Sequence, residues 1–305
     1  MTRLRVGARG SRLSRAQTQI VADMLSSRVA GLEIEIVPIK TRGDGVPPER
    51  RNVDGKTAFT GEIEDLLLSG YVDAAVHSMK DLPVEARDGL TIGATPPRGD
   101  PRDALVSAGG QDFWGLRKGA TLGTSSLRRR AQLLALRSDL SVVDLHGNVE
   151  TRIRKMGELN LDAVVLAASG LERISESARV SHHFSLEEIV PAAGQATLAV
   201  QVRKGDPETE KVVASIDDAS ARLEAVCERA FTKSVGGDCF VPVGACARTA
   251  GPSLTVSGVI ASPDGRELVR RTLTSPSGEA EELGRRLGEE MLSLGGERIL
   301  RGLLP

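Results

Sequence analysis

Short apolar runs of strand length alternate with stretches of helical periodicity from the start of the chain, and that alternation restricts the fold more than any other feature. Residues 4–8 read as a short strand, and the next stretch sets Leu13, Ala16, Ile20 and Met24 on one helical face with Ser11 placed as N-cap. Residues 32–39 alternate as a strand; 60–69 form a helix that buries Ile63, Leu66 and Leu67 and stops at Gly70; 72–76 and 90–94 are buried strands. Parallel strands need a crossover and a helix supplies it, so this order predicts an α/β domain with a largely parallel sheet.

The run Pro96-Pro97-Arg98-Gly99-Asp100-Pro101 breaks the pattern and reads as a crossing between domains. A second α/β lobe follows, with strands near 104–106, 121–123, 141–145 and 163–167 and helices near 126–137 and 150–158. Pro191 opens a return segment with a strand at 197–202. Beyond a helix at 219–232, strands cluster at 240–248, 254–260 and 267–273 before closing helices, the order of a small α+β domain. The expected division is 1–96 with 191–215, then 101–188, then 218–305. A chain of 305 residues exceeds one hydrophobic core, which agrees with several domains.

Bulk charge excludes some functions. Forty basic residues against 41 acidic ones give a net charge of −1, so no electrostatic footprint for nucleic acid or membrane exists, and aromatic content of 2% leaves little for base stacking. Any anion specificity must come from local Arg and Lys. Cys227, Cys239 and Cys246 fit neither a disulfide framework nor a metal pair, and His146, His182 and His183 lack metal-ligand spacing. The charged start and the lack of a membrane-length apolar run give the expectation of a soluble, cytoplasmic protein without metal, nucleic-acid or membrane partners.

Two places share one logic: a buried strand runs into a Ser-containing turn that carries cations. The first is Val76-His77-Ser78-Met79-Lys80-Asp81, and the second Gly123-Thr124-Ser125-Ser126-Leu127-Arg128-Arg129-Arg130. Ligands of open α/β sheets bind at strand carboxyl ends, where helix N–H groups, hydroxyls and guanidiniums favour an anion. A solvated helix face accounts for some of the arginines but poorly for Thr124 to Ser126. Arg9, Lys56, Arg152, Arg154 and Arg173 add cations across both lobes, and together they suggest a cleft for a ligand with several carboxylates. Asp81 is the odd member, either a salt-bridge partner or N-cap, or a group that holds or moves protons on a cationic intermediate. Cys239 sits in a Gly-rich turn, where an accessible thiol is a competent nucleophile.

The runs from His77 to Glu85, Gly123 to Arg129 and Gly147-Asn148-Val149 resemble the hydroxymethylbilane synthases, or porphobilinogen deaminases. So do Arg9-x-Ser11-x-Leu13 with Gln17, Thr41-Arg42-Gly43-Asp44 and Cys239-Phe240-Val241-Pro242. The resemblance implies an α/β fold of two lobes like those of periplasmic binding proteins, with mainly parallel sheets, plus a small C-terminal α+β domain. It implies a monomeric enzyme that condenses four porphobilinogen molecules, with loss of ammonia, onto a covalently attached dipyrromethane and hydrolyses off the linear tetrapyrrole. By motif match Asp81 is the catalytic acid and Cys239 the thioether attachment point. Lys56, Ser78, Lys80, Thr124, Ser125, Ser126, Arg128, Arg129 and Gly147 match cofactor-binding positions. Arg9, Ser11, Gln17, Phe59, His146, Arg152, Arg173 and Gln195 match positions facing porphobilinogen and the growing oligopyrrole.

The chain departs from the family at several points. His146 stands where the family has Arg, Asp238 and Ala196 where it has Gly, and Asp54 to Phe59 differs from its Gly-Gly-Lys-Gly-Leu-Phe. A two-lobed protein that merely binds a small anion is the main rival and predicts no role for Asp81 or Cys239. The sensing part of a transcription regulator is a second rival, disfavoured because the sequence enters a strand with no room for a helix-turn-helix.

Overall fold

The computed structural model describes residues 1–39, 57–236 and 241–302, with backbone only for 57–59. Lys56, Cys239 and the loop around Thr41 to Asp44 therefore lie outside the described residues, as does the side chain of Phe59.

The chain opens with β1 (Arg3–Arg9), α1 (Arg12–Arg28), β2 (Glu33–Ile39), α2 (Thr57–Leu68), β3 (Ala74–Ser78) and β4 (Leu90–Ala94). Then come β5 (Asp103–Ser107), β6 (Thr121–Gly123), α3 (Leu127–Leu136), β7 (Ser141–Val143), α4 (Val149–Glu158), β8 (Ala163–Ala167), α5 (Ala168–Arg173) and β9 (His182–His183). The return strand β10 (Leu198–Arg203) precedes α6 (Pro207–Ala214) and α7 (Ala219–Ser234). Three long strands, β11 (Val243–Ala250), β12 (Ser253–Ala261) and β13 (Leu268–Pro276), lead to α8 (Ala280–Met291) and α9 (Glu297–Arg301).

Two compact units emerge, one of Met1–Gly99 with Thr197–Arg222 and one of Asp100–Ala196 with Leu223–Pro305. The first holds a five-stranded sheet in the order β2-β1-β3-β10-β4. β1 pairs parallel with β2 and β3, whereas β10 runs antiparallel between β3 and β4. Leu4, Val6, Val21, Leu25 and Val76 form the core on one face of this sheet, and Ile39, Ile63, Leu67 and Ala75 the core on the other. Tyr71, the chain's single tyrosine, is exposed here.

The second unit repeats the scheme. Its sheet runs β7-β6-β8-β5-β9, with β6 parallel to β7 and β8, and β5 antiparallel to β8 and β9. Both sheets are thus mixed, a parallel half built by local crossovers and an antiparallel half. Phe113, Leu122, Leu133 and Val165 pack one face, and Leu145, Val164 and Leu171 the other. Trp114, the single tryptophan, is half exposed and meets Phe113 edge to face, with ring centres 4.9 Å apart. In the same unit β11, β12 and β13 form an antiparallel sheet, in register from Val243↔Ile260 to Ser253↔Pro276. Cys227, Phe231, Val256, Leu283 and Leu287 build its core against α7 and α8. Burial lifts the Cys227 thiol to about 12, aided by the neighbouring Glu228 charge, so this cysteine is inert.

Glycine fixes one tight contact. The turn between β12 and β13 packs Gly265, at φ +71°, against α3, where a Cβ would overlap the Ala131 carbonyl.

Candidate active site

In the first unit the site grows from strand ends. β1 stops at Arg9, and Ser11 caps α1 by accepting the Ser14 N–H at 3.2 Å. β3 stops at Ser78 and passes into a single 3-10 turn, Met79–Asp81, whose Met79 N–H donates to the Thr197 carbonyl at 2.9 Å. Burial of Met79 at 2% exposure anchors that turn, so Asp81 projects from a fixed base. Arg9, Ser11, Leu13, Ser14, Gln17, Thr60, Val76, His77, Ser78 and Asp81 line one pocket of about 70 Å³. Five residues picked out from the sequence, Arg9, Ser11, Gln17, Ser78 and Asp81, are thereby brought together. Lys80 is half-buried beside them and does not line the pocket.

His77, also in the wall, belongs to a run noted in the sequence but was given no role there. It is 6% exposed, and its Nε2 has no hydrogen-bond partner among the described residues. Burial pulls its pKa down to about 4; a Gln201 hydrogen bond opposes the shift, and the Arg9 charge adds to it. The imidazole is therefore neutral at neutral pH.

In the second unit the N-terminus of α3 is built as the sequence suggested. Ser126 caps it by accepting the Arg129 N–H at 3.3 Å, and Thr124 Oγ1 accepts the Ser126 N–H at 3.2 Å. Both hydroxyls spend a lone pair on the backbone, which leaves their hydrogens for an outside acceptor. Ser125 is half-buried between them. Asn148 caps α4 by accepting the Thr151 N–H at 2.8 Å, and Gly147 precedes it at φ +134°, where a Cβ would come within 2.6 Å of Thr151. The His146 carbonyl accepts from Lys155 at 3.3 Å, and Arg152 is half-buried on α4.

Arg128 and Arg129 lie in a different setting from a solvated helix face. Both are 5% exposed and converge on Asp103, which has no exposure. Arg128 donates to Asp103 Oδ2 at 2.7 Å and to the Val190 carbonyl at 2.8 Å; Arg129 gives Asp103 Oδ1 two bonds, of 2.9 and 2.7 Å. Gln195, wholly buried, adds a bond to the same Oδ1 at 3.0 Å. Burial pushes the Asp103 carboxyl up, but the two guanidiniums outweigh it and hold it far below the usual range. Asp103 escaped the sequence reading, although an acid heading the apolar run Ala104–Val106 was a visible signal.

Arg173 ends α5, and its Nη2 donates to the Ala196 carbonyl at 2.5 Å. No carboxylate pairs with it among the described residues. Burial lowers its pKa to about 10, with Glu172 opposing, so the guanidinium remains charged in a setting that disfavours charge. A bound anion would relieve that.

In this pocket the Asp81 carboxylate faces the hydroxyls of Ser11, Ser14, Ser78 and Thr60, the Gln17 amide, the His77 imidazole and the Arg9 guanidinium, with Leu13 and Val76 completing the wall. The fold sets the pocket at the carboxyl ends of strands in an α/β unit, the usual address of an enzyme's active site. Comparison with known proteins supplies the family. A model described as "Porphobilinogen deaminase, dipyromethane cofactor binding domain" matches residues 4–211, and one for the porphobilinogen deaminase C-terminal domain matches 222–293. The porphobilinogen deaminase of Syntrophotalea carbinolica is 44% identical over 301 residues, covering 98% of this chain and 96% of the relative. That of a Roseiflexus species is 43% identical, covering 97% and 98%. A lipoprotein of the YaeC family from Enterococcus faecalis has a similar structure at TM-score 0.44 and 17% identity, covering 72% of this chain and 92% of that one. The chain belongs to the porphobilinogen deaminase family.

Proposed function

We propose that the chain is a hydroxymethylbilane synthase, which joins four porphobilinogen molecules, with loss of ammonia at each addition, onto a dipyrromethane primer and releases the linear tetrapyrrole by hydrolysis. Family membership along nearly the whole chain supports this, and one observation carries it: Asp81 shares a pocket with Arg9, Ser11 and Ser78. Porphobilinogen bears an acetate and a propionate. A guanidinium can take a carboxylate in a bidentate bond, and hydroxyls fill its remaining lone pairs. As ammonia leaves, positive charge spreads to the ring N–H, and a carboxylate held there lowers the energy of that charge because it needs no reorganisation. Asp81 then also receives or returns the proton displaced when the new carbon–carbon bond forms.

The residues present fit a dipyrromethane: hydroxyl hydrogens at Thr124 and Ser126, and a half-buried guanidinium at Arg173 with no carboxylate partner among the described residues, suit its acidic side chains. When bound, that group supplies the pyrrole carbon on which the chain is extended. Cys239 is assigned as its attachment point, and Lys56, Ser78, Lys80, Ser125, Arg128, Arg129 and Gly147 as residues that hold it. Arg152, Arg173, His146, Phe59 and Gln195 are assigned to the substrate and growing chain, and Gln17 to the wall of the pocket that receives them. The assignment divides the chain into modules of 1–96 with 191–215, 101–188 and 218–305. It carries with it a cytoplasmic, monomeric enzyme.

Intact mass of the purified protein tests the reading. The wild-type chain should carry an adduct of two linked pyrroles that is missing from Cys239→Ser, and an unmodified wild type from cells with an intact pathway refutes the assignment. Asp81→Ala should melt like wild type yet turn over porphobilinogen at least about 100-fold more slowly.

A further inference from the structure

Ser11, the N-cap of α1, is followed at three-residue spacing by Ser14 and Gln17 within the helix, and all three line the pocket that holds Asp81. Ser14 and Gln17 are buried, at 8% and 4% exposure. Each is tied to the end of a strand. Ser14 Oγ accepts the Arg9 N–H at 3.1 Å, beyond Gly7, where the pairing of β1 with β3 ends. Gln17 Nε2 donates to Ser78 Oγ at 2.9 Å, at the end of β3. Two polar side chains taken out of water on a helix that otherwise packs Val21 and Leu25 into an apolar core are costly unless they are matched, and both are matched to residues of the site.

The direction of the second bond matters. A hydroxyl has one hydrogen and two acceptor sites. Gln17 fills an acceptor site, and the Ser78 side chain makes no capping bond to the turn that follows it. The Ser78 hydrogen is thus left for an acceptor in the pocket, the polarity a carboxylate requires. Resting on the function assigned above, we propose that Gln17 is a positioning residue. It acts on porphobilinogen through Ser78, whose hydroxyl it fixes as a donor, rather than by touching the substrate. Ser14 does the same for Arg9 through the backbone.

A double-mutant cycle on the holoenzyme tests this, with the mass adduct and melting temperature of every variant measured first. Gln17→Met keeps the length and removes the donor. It should raise KM for porphobilinogen about fivefold with kcat within about twofold, the signature of a lost hydrogen bond to the ligand. Ser78→Ala should raise KM at least as much, and Gln17→Met added to Ser78→Ala should change nothing more, since the group it works through is gone. Independent, multiplying effects would mean that Gln17 meets the substrate directly and would overturn the proposal, as would an unchanged KM in Gln17→Met. Ser14→Ala should raise KM in the same way and Ser14→Thr, which keeps the hydroxyl, should restore it; equal losses in both would reduce Ser14 to packing. Asp81→Ala run in parallel separates the two levels. Slow turnover there with no effect at Gln17 removes the positioning role alone, whereas undiminished turnover removes the reading of the pocket itself.

Discussion

Ala196 is buried, 5% exposed, and holds φ at +72°, a backbone region in which a Cβ crowds the following carbonyl. Its own carbonyl accepts from Arg173, and its neighbour Gln195 is fastened to Asp103 and the Pro101 carbonyl, so the segment is pinned on both counts. Glycine adopts this conformation without strain. Ala196→Gly should therefore stabilise the protein by about 1 kcal/mol, seen as a higher melting temperature, because the relief of strain exceeds the entropy that glycine adds to the unfolded chain. The departure from the family's glycine was visible in the sequence, but its backbone cost was not, since φ belongs to the folded chain. The same holds for Arg128 and Arg129. Their arrival at a helix start was legible, while the carboxylate that absorbs them, Asp103, comes from a strand more than twenty positions earlier.

Helices α7 and α8 pack more closely than side chains would permit, because α8 presents Gly284 and Gly288, one turn apart, to its neighbour. A Cβ at Gly284 would overlap the Cys227 carbonyl, and one at Gly288 the Ser234 hydroxyl. Gly284→Ala should cost about 2 kcal/mol in urea unfolding as the helices are forced apart. Gly278→Ala, where a Cβ meets nothing within 4 Å, should stay within about 0.5 kcal/mol of wild type. Elements with strong local signals were readable: β4, β6 and β8 fall where the apolar runs put them, and Ser11 and Ser126 cap the helices expected. Helix α6 was passed over although Asp206 as N-cap, Pro207 and two acids in the first turn announce it. The return segment was grouped with the first lobe, but the slot of β10 between β3 and β4 is not readable locally, because those partners lie more than a hundred residues away and nothing in its own apolar pattern names them.

Acid stability of the molecule should carry the mark of one histidine. Burial, opposed by Gln201 and assisted by Arg9, gives His77 a folded pKa of about 4 against 6.5 for the free group. The unfolded chain takes up a proton below pH 6.5 while the native chain resists until about 4, so the contribution is complete above 6.5 and is lost as pH falls through that window. The loss amounts to about 3 kcal/mol. Urea midpoints measured at neutral pH and near pH 4 should differ by less in His77→Gln than in wild type, and an equal difference would show that His77 gains its proton without unfolding.

The chain also carries its own pair of optical labels. Its one tyrosine, Tyr71, belongs to the first unit and its one tryptophan, Trp114, to the second. Indole emission on heating or in denaturant therefore reports the second unit alone, and the ring stacked edgewise on Phe113 gives it a chiral ultraviolet signature that vanishes when that pair separates. The phenol lies in the first. Unfolding traced at both chromophores, with no dye attached and no residue changed, reveals whether the units melt in one transition or in two.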